Sequence, residues 1–167
     1  MTSIEDINRH DVESARGILF NCCSAQRWVD GMLSARPFAD RNELLQTARD
    51  IWAGMQEDDW LEAFAGHPKI GDVNSLKAKY AATRALAGHE QSAVGEADDD
   101  VIEQLARYNT EYEARFGFIF IVFASGKSAG EMLQLLKRRI GNSRDRELEN
   151  AAAEQLKITL LRLEKLL

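Results

Sequence analysis

Apolar and polar positions along this chain recur mostly at helical spacing. Val12, Ala15, Ile18 and Leu19 follow Asp11, a residue type suited to an N-cap, and Ser3 starts a shorter segment before them. Ala25, Trp28, Val29, Met32 and Leu33 repeat the pattern behind Ser24, with Pro37 beyond the end. The "DRNE" run at Asp40–Glu43 has the spacing of a capping box and opens a stretch that aligns Leu44, Leu45, Ala48, Ile51 and Trp52. Asp58 and Asp59 suit the positive end of a short helix bearing Trp60, Leu61 and Phe64, and Gly66 is placed to end it as a C′ residue.

Beyond that point "SLKAKYAATRALA" reads as helical and "GHEQSAVGEADDD" as a polar connection. Asp98–Asp100 lead a helix with Val101, Ile102, Leu105, Tyr108 and Tyr112 on one side. Ser128 and Glu131 have capping-box spacing before Met132, Leu135, Leu136 and Ile140, Gly141 stops that helix, and a final helix runs from about Ser143. One stretch departs from the pattern. "FGFIFIVFASG" is rich in β-formers but has no partner strand elsewhere, so a buried irregular segment is expected near 116–124. The expectation is an all-α chain, a single compact domain over 1–167 with about eight helices.

Charge narrows the partners. The formal net charge is −6 with acids and bases interspersed, which argues against nucleic acid, since a phosphate-binding face needs a basic excess. The basic run "LKRRIG" is short and reads as the last turn of a helix. The longest apolar run, Phe118–Ala124, is too short to cross a bilayer, and the first residues lack the apolar core of a signal peptide. Cys22 and Cys23 are adjacent, offer no metal spacing and fit free core thiols in a reducing cytoplasm.

The candidate chemistry begins at "GHPKIGD", residues Gly66–Asp72. Pro68 pushes the residue before it out of the α region, so His67 is held at a non-helical point just after a packed helix. Such a loop imidazole serves acid/base chemistry, or it only caps the preceding carbonyls; spacing leaves both open. Glu90 and Gln91 place a carboxylate beside an amide in a polar loop, suited either to holding a substrate or to solvent. Arg162 shares a face with Ile158 and Leu166, so its guanidinium sits on an apolar stripe and needs a carboxylate, carbonyls or an anionic ligand. His10, His67 and His89 are not at metal-ligand spacing.

These blocks in order, "FNCCSAQRWVDGMLSARPF", "DWLEAFAGHPKIGD", "GHEQSA", "YEARFGFIFIVFASGKSAGEML" and "LKITLLRL", make the chain similar to the 2-oxo-4-hydroxy-4-carboxy-5-ureidoimidazoline (OHCU) decarboxylases from about Ser3 to Leu163. The resemblance implies an all-helical enzyme, commonly a homodimer, without metal or organic cofactor, that turns OHCU into (S)-allantoin in urate breakdown. It assigns His67 as the catalytic histidine and Glu90 as its acidic partner. It gives substrate contacts to Pro68, Gln91, Arg162 and the main chain at Phe120 and Ile121. Two positions depart from the family pattern: Ile119 stands where many members have proline, and Ala87 where some have serine. A non-enzymatic helical interaction module is the competing class, but it leaves an arginine on an apolar stripe beside a rigid His-Pro turn unexplained. Hydrolysis of a related ureido compound such as hydroxyisourate is the competing chemistry.

Overall fold

A computed structural model of the chain describes residues 2–68, 74, 76 and 95–167, with residues 95–98 by backbone alone. Among the described residues there are eight helices and no strand. They are α1 (Ile4–Arg9), α2 (Val12–Cys22), α3 (Gln26–Ala35), α4 (Arg41–Ala53), α5 (Glu57–Ala65), α6 (Gly95–Phe116), α7 (Ala129–Arg139) and α8 (Arg144–Leu166). The expected helix in Ser75–Ala87, Leu76 apart, and the polar connection after it lie outside the described residues.

The chain divides into two compact units. The first takes Met1–His67, Ile121–Phe123 and Leu148–Leu167. Within it α3 packs against α2, α4 and α5. Its core includes Leu19, Trp28, Met32 and Leu44, each sealed from solvent, and burying an aliphatic side chain of this kind is worth about 1.5–3 kcal/mol. The two buried indoles are satisfied rather than stranded: Trp28 Nε1 donates to the Ala48 carbonyl at 3.2 Å and Trp52 Nε1 to that of Ala152 at 2.9 Å. The loop after α3 is tied to α1 by a reciprocal pair, Asn8 Nδ2 to Phe38 O and Phe38 N to Asn8 Oδ1, both 2.8 Å.

Several N-caps follow the sequence, although the boxes expected at Asp40–Glu43 and Ser128–Glu131 form only their N-cap halves and Ile140, not Gly141, closes α7. Ser3 and Asp6 close a capping box on α1, and Asp11, Asp40 and Ser128 each accept from the amide three residues on. Ser24 does not cap α3. Ala25 takes that position, and the carboxylate of Glu62 from α5 accepts from the Gln26 amide, so this N-terminus is capped across helices. The Ser24 hydroxyl instead donates to the carbonyls of Glu62 and Ala63 at 3.3 and 3.4 Å. Gly66 ends α5 but in right-handed geometry, φ −75° and ψ −13°, not as a C′ residue. Its lack of a side chain serves packing: a Cβ there would collide with Ser24 Oγ and stand 2.8 Å from Ser24 Cβ.

The second unit takes Pro68–Phe120 and Ala124–Glu147. Here α6 packs along α7. α6 begins at Gly95, ahead of the expected start, and ends at Gly117, whose φ of +83° and amide bond to Glu113 O at 2.8 Å make it a true left-handed stop. The stretch from Gly117 to Ser128 is neither helix nor strand, as expected. Its rings explain why it stays put. Phe116, Phe118 and Phe120 lie 4.6, 5.9 and 5.3 Å from the Tyr112 ring, and all four are buried.

Candidate active site

The first unit contains a cleft of about 210 Å³ at the end of α5. The closing turn of that helix supplies its position: Gly66 N donates to Ala63 O and His67 N to Phe64 O, both at 3.2 Å. The Ser24–Gly66 approach presses this turn onto the α2–α3 junction. His67 therefore leaves the helix with its backbone held, and its ring is half-buried. The ring does not cap the α5 carbonyls. Nε2 meets Gln155 Oε1 at 2.5 Å, across the cleft on α8.

Helix α8 carries a buried stripe of Leu148, Ala151, Ala152, Gln155, Thr159 and Leu163. Two of these are polar, and they bond to each other: Gln155 Nε2 donates to Thr159 Oγ1 at 3.1 Å. With the amide nitrogen donating to Thr159, the amide oxygen faces the ring, and an amide oxygen accepts only from a protonated ring nitrogen. Burial holds the pKa of His67 below its ordinary value; the Gln155 bond raises it and the nearby Arg162 charge lowers it again.

Arg162 lies one turn beyond Thr159, at the edge of that stripe. Its guanidinium donates to the carbonyls of Cys22 and Asn21 at 3.4 and 3.5 Å. These belong to the end of α2, where unpaired carbonyls concentrate negative potential. The sequence requirement for an anion, an acid or carbonyls is met by carbonyls, and Arg162 also lines the cleft. Phe20 and Asn21 line it as well. Cys22 and Cys23 sit behind the wall, with thiol pKa values pushed up to about 11 by burial, so they are inert core thiols.

A larger and more open hollow of about 520 Å³ runs along α2 past Glu13 and Arg16. The Arg16 guanidinium is held by Asp30 at 2.7 Å and no imidazole faces the hollow, so the smaller cleft is the better candidate for chemistry. Among the described residues no group of three His, Cys, Asp or Glu side chains stands close enough to share a metal ion.

Of the residues singled out from the sequence, His67 and Arg162 share this cleft. Pro68 is exposed. Ile121 is buried in the first unit and Phe120 in the second, where the Arg139 guanidinium lies 4.5 Å from its ring centre. Glu90, Gln91 and Ala87 lie outside the described residues, as do Lys69 and Asp72. Sequence reasoning missed Gln155 and Thr159. Their signal was present: at seven and three positions before Arg162 they share its helix face, and a polar run on an apolar stripe asks for partners.

The second unit has a buried polar group of another kind. Glu147 is fully buried and accepts from Tyr112 Oη at 2.6 Å, Arg139 Nε at 2.8 Å and Asn142 Nδ2 at 2.8 Å. Burial and the Glu147 bond push the Tyr112 pKa up, which keeps its hydroxyl a donor. Arg139 is thus drawn inward from the basic last turn of α7, while Lys137 and Arg138 remain exposed.

The family model described as OHCU decarboxylase matches residues 8–164. The uric acid degradation bifunctional protein TTL of Arabidopsis thaliana is 40% identical over 146 residues, covering 87% of this chain and 45% of that protein. The 2-oxo-4-hydroxy-4-carboxy-5-ureidoimidazoline decarboxylase of Halalkalicoccus jeotgali is 27% identical, covering 98% of this chain and 91% of that one. A solved OHCU decarboxylase, crystallised in the presence of (S)-allantoin, superposes with a TM-score of 0.70 at 38% identity over 94% of this chain and 98% of its own. The chain thus spans less than half the length of the bifunctional plant relative and 91% of the Halalkalicoccus jeotgali decarboxylase.

Proposed function

The chain belongs to the OHCU decarboxylase family, and from that premise we propose that it decarboxylates 2-oxo-4-hydroxy-4-carboxy-5-ureidoimidazoline to (S)-allantoin. The observation that carries this reading is a half-buried histidine, tied through Nε2 to Gln155, in a small cleft that also holds Arg162.

An imidazoline ring contains one C=N bond. When the neighbouring C–C bond to the carboxylate breaks, its electron pair forms a C=C bond, the C=N pair moves onto the ring nitrogen, which takes up a proton from water, and CO₂ departs, leaving an enol. No added electron sink is needed. The enol hydroxyl then loses its proton as the carbonyl forms, and a proton is added to the ureido-bearing carbon. His67 Nδ1 takes the hydroxyl proton as general base, and the imidazolium so formed is the acid nearest the product. Arg162 binds substrate oxygens, and Glu90 orients or balances the charge on His67. Pro68, Gln91 and the main chain at Phe120 and Ile121 complete the substrate contacts. A walled site that admits protons from one side sets the (S) hand.

The match over residues 8–164 supports reading the chain as one OHCU decarboxylase domain. Two free cysteines support a reducing cytoplasm as its compartment, and no described helix is long and apolar enough to cross a membrane. Assembly as a homodimer follows the family habit.

The test is chiral. OHCU is generated in situ from urate with uricase and hydroxyisourate hydrolase, and circular dichroism follows the allantoin. Prompt appearance of the (S) enantiomer is the expected result, and a rate no faster than the spontaneous, racemic reaction would overturn the assignment.

A further inference from the structure

We propose that Gln155 is a positioning residue: its amide oxygen holds the hydrogen of His67 on Nε2 and so dedicates Nδ1 to proton transfer. The inference rests on the reading of His67 as the acid/base group. Gln155 is only 1% exposed, and such an amide side chain survives in a core when its groups are paired. Here the pairing has a direction, since Oε1 faces the imidazole at 2.5 Å and Nε2 faces Thr159 at 3.1 Å. Thr159 is itself buried, and it extends the chain of bonds to the Cys23 thiol. The amide is therefore locked from behind, and the histidine is locked by the amide.

The choice of an amide matters for the chemistry. A carboxylate at this place would also fix the tautomer, but its charge would stabilise imidazolium and raise the pKa of the ring. A neutral acceptor orients the ring while leaving it a free base before reaction. Among the described residues few charges compete with that effect. Phe20 and Asn21 of α2, Ser24 and Ala63 are the other groups around the ring and are uncharged, so Arg162 of α8 is the charged group that lines the cleft. Glu62 of α5 gives its carboxylate to the Gln26 amide. Glu90, proposed above as the acidic partner, stays unchanged in every variant below.

The experiment uses the full chain with ¹⁵N-labelled histidines, the His67 signal being identified by its loss in His67→Asn. The wild type is expected to show protonated Nε2 and unprotonated Nδ1 at neutral pH. Gln155→Leu should mix the tautomers and lower kcat about tenfold, the value of one hydrogen bond, with KM little changed. Gln155→Glu, nearly the same shape, should keep the Nε2–H tautomer and recover most of kcat at higher pH. Its acid limb of kcat should move up by about one pH unit or more. A residue that merely fills space would not move that limb. An Nδ1–H tautomer in the wild type, or an acid limb unmoved in Gln155→Glu, would overturn the proposal. Should Gln155→Leu fail to fold, the isosteric Gln155→Glu still decides. Full activity of His67→Asn would instead remove the acid/base reading, an outcome separate from the tautomer, which the nitrogen shifts report without turnover.

Discussion

Glu147 and Gln155 lie on the same helix, and both are buried and hydrogen-bonded, yet their surroundings differ in kind. Around Glu147 the charges close on themselves: a carboxylate receives Arg139, Tyr112 and Asn142. Around Gln155 the chain of bonds is neutral and ends at an imidazole that lines a cleft. A buried charge is tolerated when its lone pairs are met, and once they are met it has little left to offer a ligand. A neutral relay ending at a half-buried histidine keeps one nitrogen for a visitor. Burial of polar groups alone does not mark a functional site; the open end does.

The largest expected effect tests that open end. His67→Asn should lower the rate of (S)-allantoin formation by ~10²–10⁴-fold while the melting temperature barely moves. A variant that loses stability and keeps its rate would erase the contrast. Next, Glu147→Gln should cost about 3–5 kcal/mol of folding stability, because Arg139, with 12% of its side chain exposed, would keep its charge without the partner. Urea denaturation at fixed pH measures this, and a loss below about 1 kcal/mol would show the cluster to be no more than a surface pair.

A smaller effect is expected where packing seats the histidine. Gly66→Ala would force Ser24 and the end of α5 apart, costing roughly 1–3 kcal/mol. Ser24→Gly in the same chain should return most of it, and additive losses in the double variant would count against the close approach. The smallest effect is a pH slope. The folded pKa of His67 lies below the ordinary 6.5, so the unfolded state binds the proton more readily. Its contribution is fully present above pH 6.5 and is lost as pH falls toward the folded value. Stability measured stepwise between pH 7 and pH 5 should fall less in His67→Asn than in the wild type, and parallel curves would speak against the shift.

Local rules reached far into this molecule. Asp11, Asp40 and Ser128 cap the helices their positions announce, because an N-cap bond spans only three residues. The aromatic run near Phe118 is irregular and buried, and no strand stands among the described residues to pair with it. Gly66 shows where local reading stops. The same residue type ends α6 at Gly117 through a positive φ, but ends α5 because Ser24, far away in sequence, needs the space. The capping of α3 by Glu62 is non-local in the same way.

By itself the sequence determined the helices, the irregular aromatic stretch, the family, and the suspicion attached to His67 and Arg162. Those rest on periodicity, caps and motif, which act over a few residues or over ordered blocks of residues. Only tertiary structure decided what each candidate touches: carbonyls of α2 for Arg162, an amide of α8 for His67, and a saturated ring of donors for Glu147. A hydrogen bond between residues 88 positions apart leaves no periodic trace in the chain. It exists because two helices, each formed for its own local reasons, bury the same two polar groups and each group satisfies the other.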